Sequence, residues 1–155
     1  DPDDTAGIFF DKLAKAGADL MAEQLPLLLA GKAVFVEQDE DKATFAYTIS
    51  REEERLDLHQ PLDKVYNQAR GLIPFPVGYV VHNGKKVKLH RVRKKIASHE
   101  HAAGTCVGMI DDGFAIALQG GYLLVDEIQV EGKKRTEALP FYNGVGKQWV
   151  DTVFE

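Results

Sequence analysis

Between Gly78 and Val130 the chain alternates short apolar segments with glycine turns, and no interval is long enough to hold a crossover helix. Tyr79-Val80-Val81 leads through His82-Asn83-Gly84 into a segment at 85–95. Gly104–Ile110 leads through Asp111-Asp112-Gly113 into Phe114–Leu118, and Gln119-Gly120-Gly121 opens Tyr122–Val130. Asn-Gly between two β-prone runs signals a hairpin, because both residues tolerate the positive φ of a tight reversal. Strands joined by turns this short must be antiparallel, since parallel neighbours need a connection of about a dozen residues or more. The expected fold is four or five antiparallel strands in a barrel or sandwich.

The stretch from Gly84 to Lys95 sets this sheet apart. Seven of its twelve residues are cations: Lys85, Lys86, Lys88, Arg91, Arg93, Lys94 and Lys95. Val87, Leu89 and Val92 supply apolar anchors, so the segment reads as a strand with a cationic surface. A row of like charges on a rigid strand repels itself, and a polyanion relieves that cost. A solvated lysine-rich strand is the commoner outcome. The charge balance favours a partner: residues 1–59 carry fourteen acidic and six basic residues, a net of −8, whereas residues 60–155 carry ten and thirteen, a net of +3. The C-terminal part is thus expected to face an acidic partner.

Upstream, Thr5 is the expected N-cap of a helix reaching Ala30, with Asp3 and Asp4 near its positive end. Phe9, Leu13, Ala16 and Leu20 recur at helical spacing, and Phe10, Gly17, Met21, Leu25 and Leu28 widen the same apolar stripe. Pro26 should bend or restart this helix and Gly31 should end it. So apolar a helix requires a partner surface. Residues 32–60 read as a connector, with a strand-like piece at Ala43–Tyr47 and a solvated acidic cluster at Glu52-Glu53-Glu54 in a helical turn. Pro61 fits the first turn of a short helix from Leu62 to Arg70, closed by Gly71; Pro74 and Pro76 prevent its continuation. Glu137–Tyr142 reads as a short terminal helix. The opening Asp1-Pro2-Asp3-Asp4, without an initiator Met, is expected of a fragment or processed product.

The residues assemble no catalytic centre. Cys106 is the single cysteine and reads as a small buried hydrophobe. His59, His82, His90, His99 and His101 form no metal set, and His99 and His101 point to opposite sides if extended. Neither a GxSxG elbow nor a P-loop occurs, and Gly144-Val145-Gly146 is too short for a dinucleotide site. Asp126 and Glu127, adjacent on a strand, should face opposite surfaces. Catalytic, cofactor and metal residues are accordingly expected to be absent from this chain, and no apolar run approaches the roughly 20 residues of a membrane span.

An ordered series of short matches runs almost from end to end. Asp4-Thr5-Ala6-Gly7 is followed by Asp11-Lys12-Leu13, Leu25-Pro26-Leu27-Leu28 and Gly31. Gln38-Asp39, Ala43-Thr44 and Ile49-Ser50 come next, with Glu52, Arg55 and Asp57. Tyr66-Asn67-Gln68, Arg70-Gly71-Leu72 and Pro74-Phe75-Pro76 follow, and Gly132-Lys133-Lys134 stands late in the chain. The series resembles the C-terminal portion of the methionyl-tRNA formyltransferase family. Phe75 stands where the family often has Trp.

The resemblance implies a two-domain parent that transfers a formyl group from 10-formyltetrahydrofolate to the methionine of initiator tRNA during translation initiation, in the cytoplasm. The family's catalytic Asn, His and Asp lie upstream of the matched segment, so none is carried onto this chain, which alone should be inactive. Residues 1–31 would be the last helix of the catalytic domain, 32–60 a linker, and 61–155 an OB-like antiparallel β-barrel that holds the tRNA. The apolar helix would have lost its partner domain and could form a dimer instead. The family's cationic face suits Lys85, Lys86, Lys88, Arg91 and Arg93, extended by Lys133, Lys134 and Arg135. Arg70 is ambiguous between touching RNA and compensating a helix C-terminus. Two other readings remain: the same part of a sibling formyltransferase acting on an amino-sugar nucleotide, and a stand-alone RNA-binding barrel.

Overall fold

A computed structural model describing residues 1–155 places the cationic segment in the longest strand of a six-stranded antiparallel sheet. The strands are β1 (Tyr79–His82), β2 (Lys85–Ile96), β3 (Cys106–Ile110), β4 (Gly113–Leu118), β5 (Gly121–Val130) and β6 (Thr136–Glu137). Their order is β1-β2-β5-β4-β3, with β6 added to β5. The helices are α1 (Ala6–Leu29), α2 (Leu62–Gly71) and α3 (Ala138–Gly144), followed by a 3-10 turn at Gly146–Trp149. Asn83 and Gly84 have φ of 49° and 74°, the paired positive values of the expected hairpin reversal. Gly121 is obligatory: a Cβ there would lie 2.1 Å from the Lys95 carbonyl oxygen.

Strand β2 buries Val87, Leu89 and Val92 and pairs with β5 from Val87↔Val130 to Ile96↔Gly121. A bulge around Arg91 inserts one residue between the inward positions Leu89 and Val92. Helix α2 lays Leu62, Val65, Tyr66 and Ala69, the spacing of one helical face, against this core. Helix α3 adds Phe141, whose ring meets Phe114 edge-on at 5.1 Å.

The C-terminal residues bridge the two edges of the sheet. Cys106 N donates to Thr152 O (2.8 Å) and Phe154 N to Gly104 O (2.9 Å) on the β3 side. Val81 and Glu155 exchange both backbone bonds (3.0 and 2.8 Å) on the β1 side. The sheet therefore curls into a barrel. An aromatic plug backs this closure: His82 stacks on Trp149 at 4.0 Å, and Phe154 and Phe141 approach Trp149 edge-on at 5.8 and 5.0 Å. The Thr152 hydroxyl donates to Trp149 O (2.6 Å), so His82 Nε2–H donates to Thr152 Oγ1 (2.9 Å). Burial holds the His82 imidazole below its ordinary pKa, opposed in part by Glu155.

Several expectations are corrected. Helix α1 does not restart at Pro26, which lies inside it; it stops at Leu29, just before the expected Gly31, where φ is 66° and Lys32 N returns to Leu27 O (2.8 Å). Ala43–Tyr47 forms no strand, having no neighbour to pair with, and only a 3-10 turn at Glu40–Lys42 interrupts the connector. Its end is part of the barrel: Leu56 and Leu58 are buried, and Leu56 N and Glu54 O bond to the backbone of Tyr79 (2.9 and 3.0 Å). His99 and His101 lie on the same side with rings 5.7 Å apart, because the segment is not extended; His99 Nε2 bonds to Leu118 O and Gly121 O. Helix α1 buries no residue, and Phe9, Phe10, Leu13, Leu20 and Met21 stand at least half exposed.

Phe154→Ala should cost about 3–5 kcal/mol, as for other buried aromatic truncations, whereas Phe75→Ala, 84% exposed, should stay within about 0.5 kcal/mol; denaturant unfolding checks both. The depressed His82 pKa means that the unfolded chain takes up this proton first as pH falls. Its stabilising contribution is complete above about pH 6.5 and is lost as pH falls through the folded pKa. Carboxylates held below their ordinary values, such as Glu53 and Asp57, act only below about pH 4.5. Melting temperature should therefore drop between about pH 6.5 and 5, and His82→Gln should flatten that step; an equal drop in the variant contradicts the assignment.

Candidate nucleic-acid interface

The bulge in β2 and the long reach of its side chains divide the predicted cations into two groups. Beyond the bulge they are tied to carboxylates. Arg93 chelates Asp126 through Nε and Nη2 (2.8 and 2.7 Å) and donates to Asp111 O (2.9 Å), and the Asp126 bonds raise its pKa. Lys95 pairs with Asp111 and Lys94 with Asp63, each at 2.6 Å. Arg91 lies 3.8 Å from Asp126 and 3.9 Å from Glu127, and Arg135 bonds to Glu127. The Arg135 contact, the first cause, lowers the Glu127 pKa. Asp126 and Glu127 thus serve one cationic row rather than opposite surfaces, because Arg91 at the bulge reaches both.

Before the bulge the cations are free of carboxylates. Lys88 Nζ donates to Pro76 O (3.1 Å), and Lys86 Nζ sits 4.3 Å from the centroid of the Tyr79 ring. Lys85, Lys133 and Lys134 make no ion pair and come together from two loops: the tight β1–β2 turn and the β5–β6 connection. They line a cleft of about 410 Å³ whose far wall is α3 and the 3-10 turn, with Asn83, Thr136 and Gln148 as polar lining and Trp149 at its base. The nearby carboxylate of Glu131 is engaged by the Lys86 backbone N–H (3.2 Å).

Three uncompensated ammonium groups on rigid turns make a local positive field, which an anion entering the cleft would neutralise. The neutral His82 beneath adds no fourth charge. A compact ammonium reads phosphate as a point charge, whereas a guanidinium already held in two bonds by Asp126 has little fork left to offer. The structure thus brings together Lys85, Lys133 and Lys134, with Lys86 on the adjacent rim, and ties Arg91, Arg93 and Arg135 to neighbours. Sequence reasoning missed Gln148 and Trp149, which carry no periodic signal. It also missed the acidic partners, whose pairing depends on the β2–β5 register. No group of three or more His, Cys, Asp or Glu residues is placed to hold a metal.

Residues 48–146 match the family model for the formyl transferase C-terminal domain. Curated relatives named methionyl-tRNA formyltransferase include one from Geobacillus sp. (strain WCH70), 40% identical over 144 residues, 92% of this chain and 45% of the relative. Another, from Bacillus velezensis, is 39% identical over 156 residues, 100% of this chain and 49% of the relative. The chain spans about half the length of the curated relatives it matches. Among solved structures, a variant of HypX from Aquifex aeolicus superposes with a TM-score of 0.73 over 97% of this chain and 27% of that one, at 17% identity. HypX in complex with tetrahydrofolic acid gives 0.65 over 85% of this chain and 23% of its own, at 16% identity. At those identities the likeness concerns the fold. The family match covers well over half of the sequence, and the chain belongs to the formyl transferase C-terminal domain family.

Proposed function

We propose that this chain is the tRNA-binding C-terminal part of a methionyl-tRNA formyltransferase acting in translation initiation. The parent would move a formyl group from 10-formyltetrahydrofolate to the amino group of methionine on initiator tRNA, in the cytoplasm. The observation that carries the reading is the cleft of carboxylate-free lysines, Lys85, Lys133 and Lys134, in a domain whose relatives bear that enzyme's name. The folate co-substrate is supported by the like fold of HypX, solved with tetrahydrofolic acid. The chemistry would reside in the half of the enzyme outside this sequence, so the chain alone should not transfer formyl groups.

In this reading residues 1–31 close the catalytic domain, the segment after them links it and joins the barrel by Leu56 and Leu58, and the barrel through residue 155 holds the tRNA. The exposed stripe of α1 is covered by the catalytic half rather than by a second copy, since the relatives are about twice as long as this chain. Lysines that meet phosphates supply affinity without reading bases, so discrimination among tRNAs falls to the other half. Arg91, Arg93 and Arg135 serve chiefly to hold β2, β5 and their loops together.

Fluorescence anisotropy of labelled tRNA with the purified chain tests this. Contacts from Lys85, Lys86, Lys133 and Lys134 should give a log–log salt slope of about −3. Replacing Lys133 and Lys134 by Ala should reduce its magnitude by about 1 to 2 and weaken different tRNAs equally. Arg93→Met should lower the melting temperature and leave the slope unchanged. An unaltered slope in the double variant, or a loss confined to one tRNA, contradicts the proposal.

A further inference from the structure

Helix α1 buries nothing along its length, yet its beginning is fixed to the barrel from three directions. Gly7 N donates to Ile73 O (3.0 Å), Tyr66 OH donates to Asp3 Oδ1 (3.0 Å), and Arg70 Nη1 donates to Asp4 O (2.7 Å). Arg70 is held in position by its second bond, from Nε to Asn67 Oδ1 (2.9 Å). Lys12 bonds to the Asp4 carboxylate (2.7 Å), which ties the second turn of the helix to the same point and is the first cause of the lowered Asp4 pKa.

Gly7 has no positive φ, so its backbone does not require glycine. The space does: a Cβ would lie 2.8 Å from Pro74 Cδ and 3.3 Å from Pro74 Cγ. Tyr66 and Arg70, four residues apart, share one face of α2, and Pro74 stands beyond the helix end. Contacts from these separate places fix both the tilt and the roll of α1. Nothing from Ile8 onward touches the barrel by a hydrogen bond. From Ile8 to Leu29 the helix extends ~33 Å. A tilt of ~10° at Gly7 would carry its far end ~6 Å, and misplacing reacting groups by about 1 Å can cost about a hundredfold in rate.

We infer that the first turn of α1 is a rigid joint setting the pitch between the barrel and the catalytic half, and that Gly7, Tyr66 and Arg70 are positioning residues for formyl transfer to tRNA. The inference rests on the function proposed above. The joint holds the cleft lysines at a set span from the reaction centre, so that a tRNA body seated on the barrel delivers its acceptor end in register. This also gives Arg70 a role that is neither RNA contact nor dipole compensation.

The test uses the parent enzyme with two acceptors: intact charged tRNA, and a charged acceptor-stem hairpin too short to reach the barrel. Gly7→Ala should lower kcat for intact tRNA at least about tenfold, with KM within about twofold, while the hairpin reaction stays within about twofold of wild type. Tyr66→Phe and Arg70→Gln should act in the same direction. Gly71→Ala, whose Cβ would meet nothing within 4 Å, is the control expected to match wild type. Unchanged kcat on intact tRNA in Gly7→Ala overturns the joint, as does an equal loss on both acceptors, which signals general damage. A wild-type parent that formylates neither acceptor refutes the functional reading, not the joint. A dye pair at Glu23→Cys and Ser98→Cys in the present chain then decides. Cys106 does not compete for label, since burial pushes its thiol up to about 11. Gly7→Ala should shift or broaden the distance distribution, and an unchanged distribution overturns the inference.

Discussion

The pairing of β2 with β5 is the interaction on which the rest of the barrel depends. These are the two longest strands, and each inward residue of one, Val87, Leu89 and Val92, meets Ile128, Val125 or their neighbours on the other. Strand β1 attaches to one side of this pair and β4 to the other, and α2 packs across β2. The C-terminal residues then bridge the outer strands. A register slip of one residue would turn the apolar set outward and the lysines inward, so the buried face holds the register tightly. Two shifts flank Arg91, one extra residue on β2 at His90 and one on β5 at Asp126, and they lie where the strand changes from carboxylate-free to carboxylate-paired cations.

That change decides what each charge does. Past the bulge, Asp111, Asp126 and Glu127 approach close enough to cancel the self-repulsion of Arg91, Arg93 and Lys95 within the molecule. At the hairpin end no carboxylate lies within ion-pair distance of Lys85, Lys133 or Lys134. Lys85 gains Lys133 and Lys134 as neighbours across a cleft, and each like charge raises the cost that an incoming anion removes. The proposed affinity for a polyanion would therefore concentrate at one rim of the barrel. The floor of that rim is formed by His82, Trp149 and Phe141 of the aromatic plug that backs barrel closure, so the cleft is mounted on a rigid part of the fold.

The elements with a period were legible in the sequence. Helix α1 followed from Phe9, Leu13, Ala16 and Leu20, α2 from Pro61 before it and Gly71, Pro74 and Pro76 after it, the first hairpin from Asn83-Gly84, and the antiparallel pairing from the short turns. The domain's family was carried by an ordered series of short motifs, and the match at 48–146 agrees. Long-range geometry was not legible. Alternation alone put Asp126 and Glu127 on opposite faces, but the register skips Asp126, so both acids lie between the inward positions Val125 and Ile128. Ala43–Tyr47 has strand-forming residues but no strand to pair with. Leu56 and Leu58 look like linker residues until the backbone of Tyr79 captures their segment. Of the site, the lysines were visible as charge. Which of them remain free depended on the positions of acids up to 33 residues away.

An account in which RNA meets the hairpin rim, and not the length of β2, is most directly tested by amide hydrogen exchange of the chain with and without tRNA at moderate salt. Protection on binding should concentrate at residues 83–86, 131–136 and 144–149, the backbone around Lys85, Lys133, Lys134 and Gln148. The outer backbone at 91–97 and 111–112, where Arg93 and Lys95 are paired with acids, should be unaffected. Protection running along 91–97 with none at 131–136 would contradict the account and return the whole cationic strand to the role of RNA-binding face.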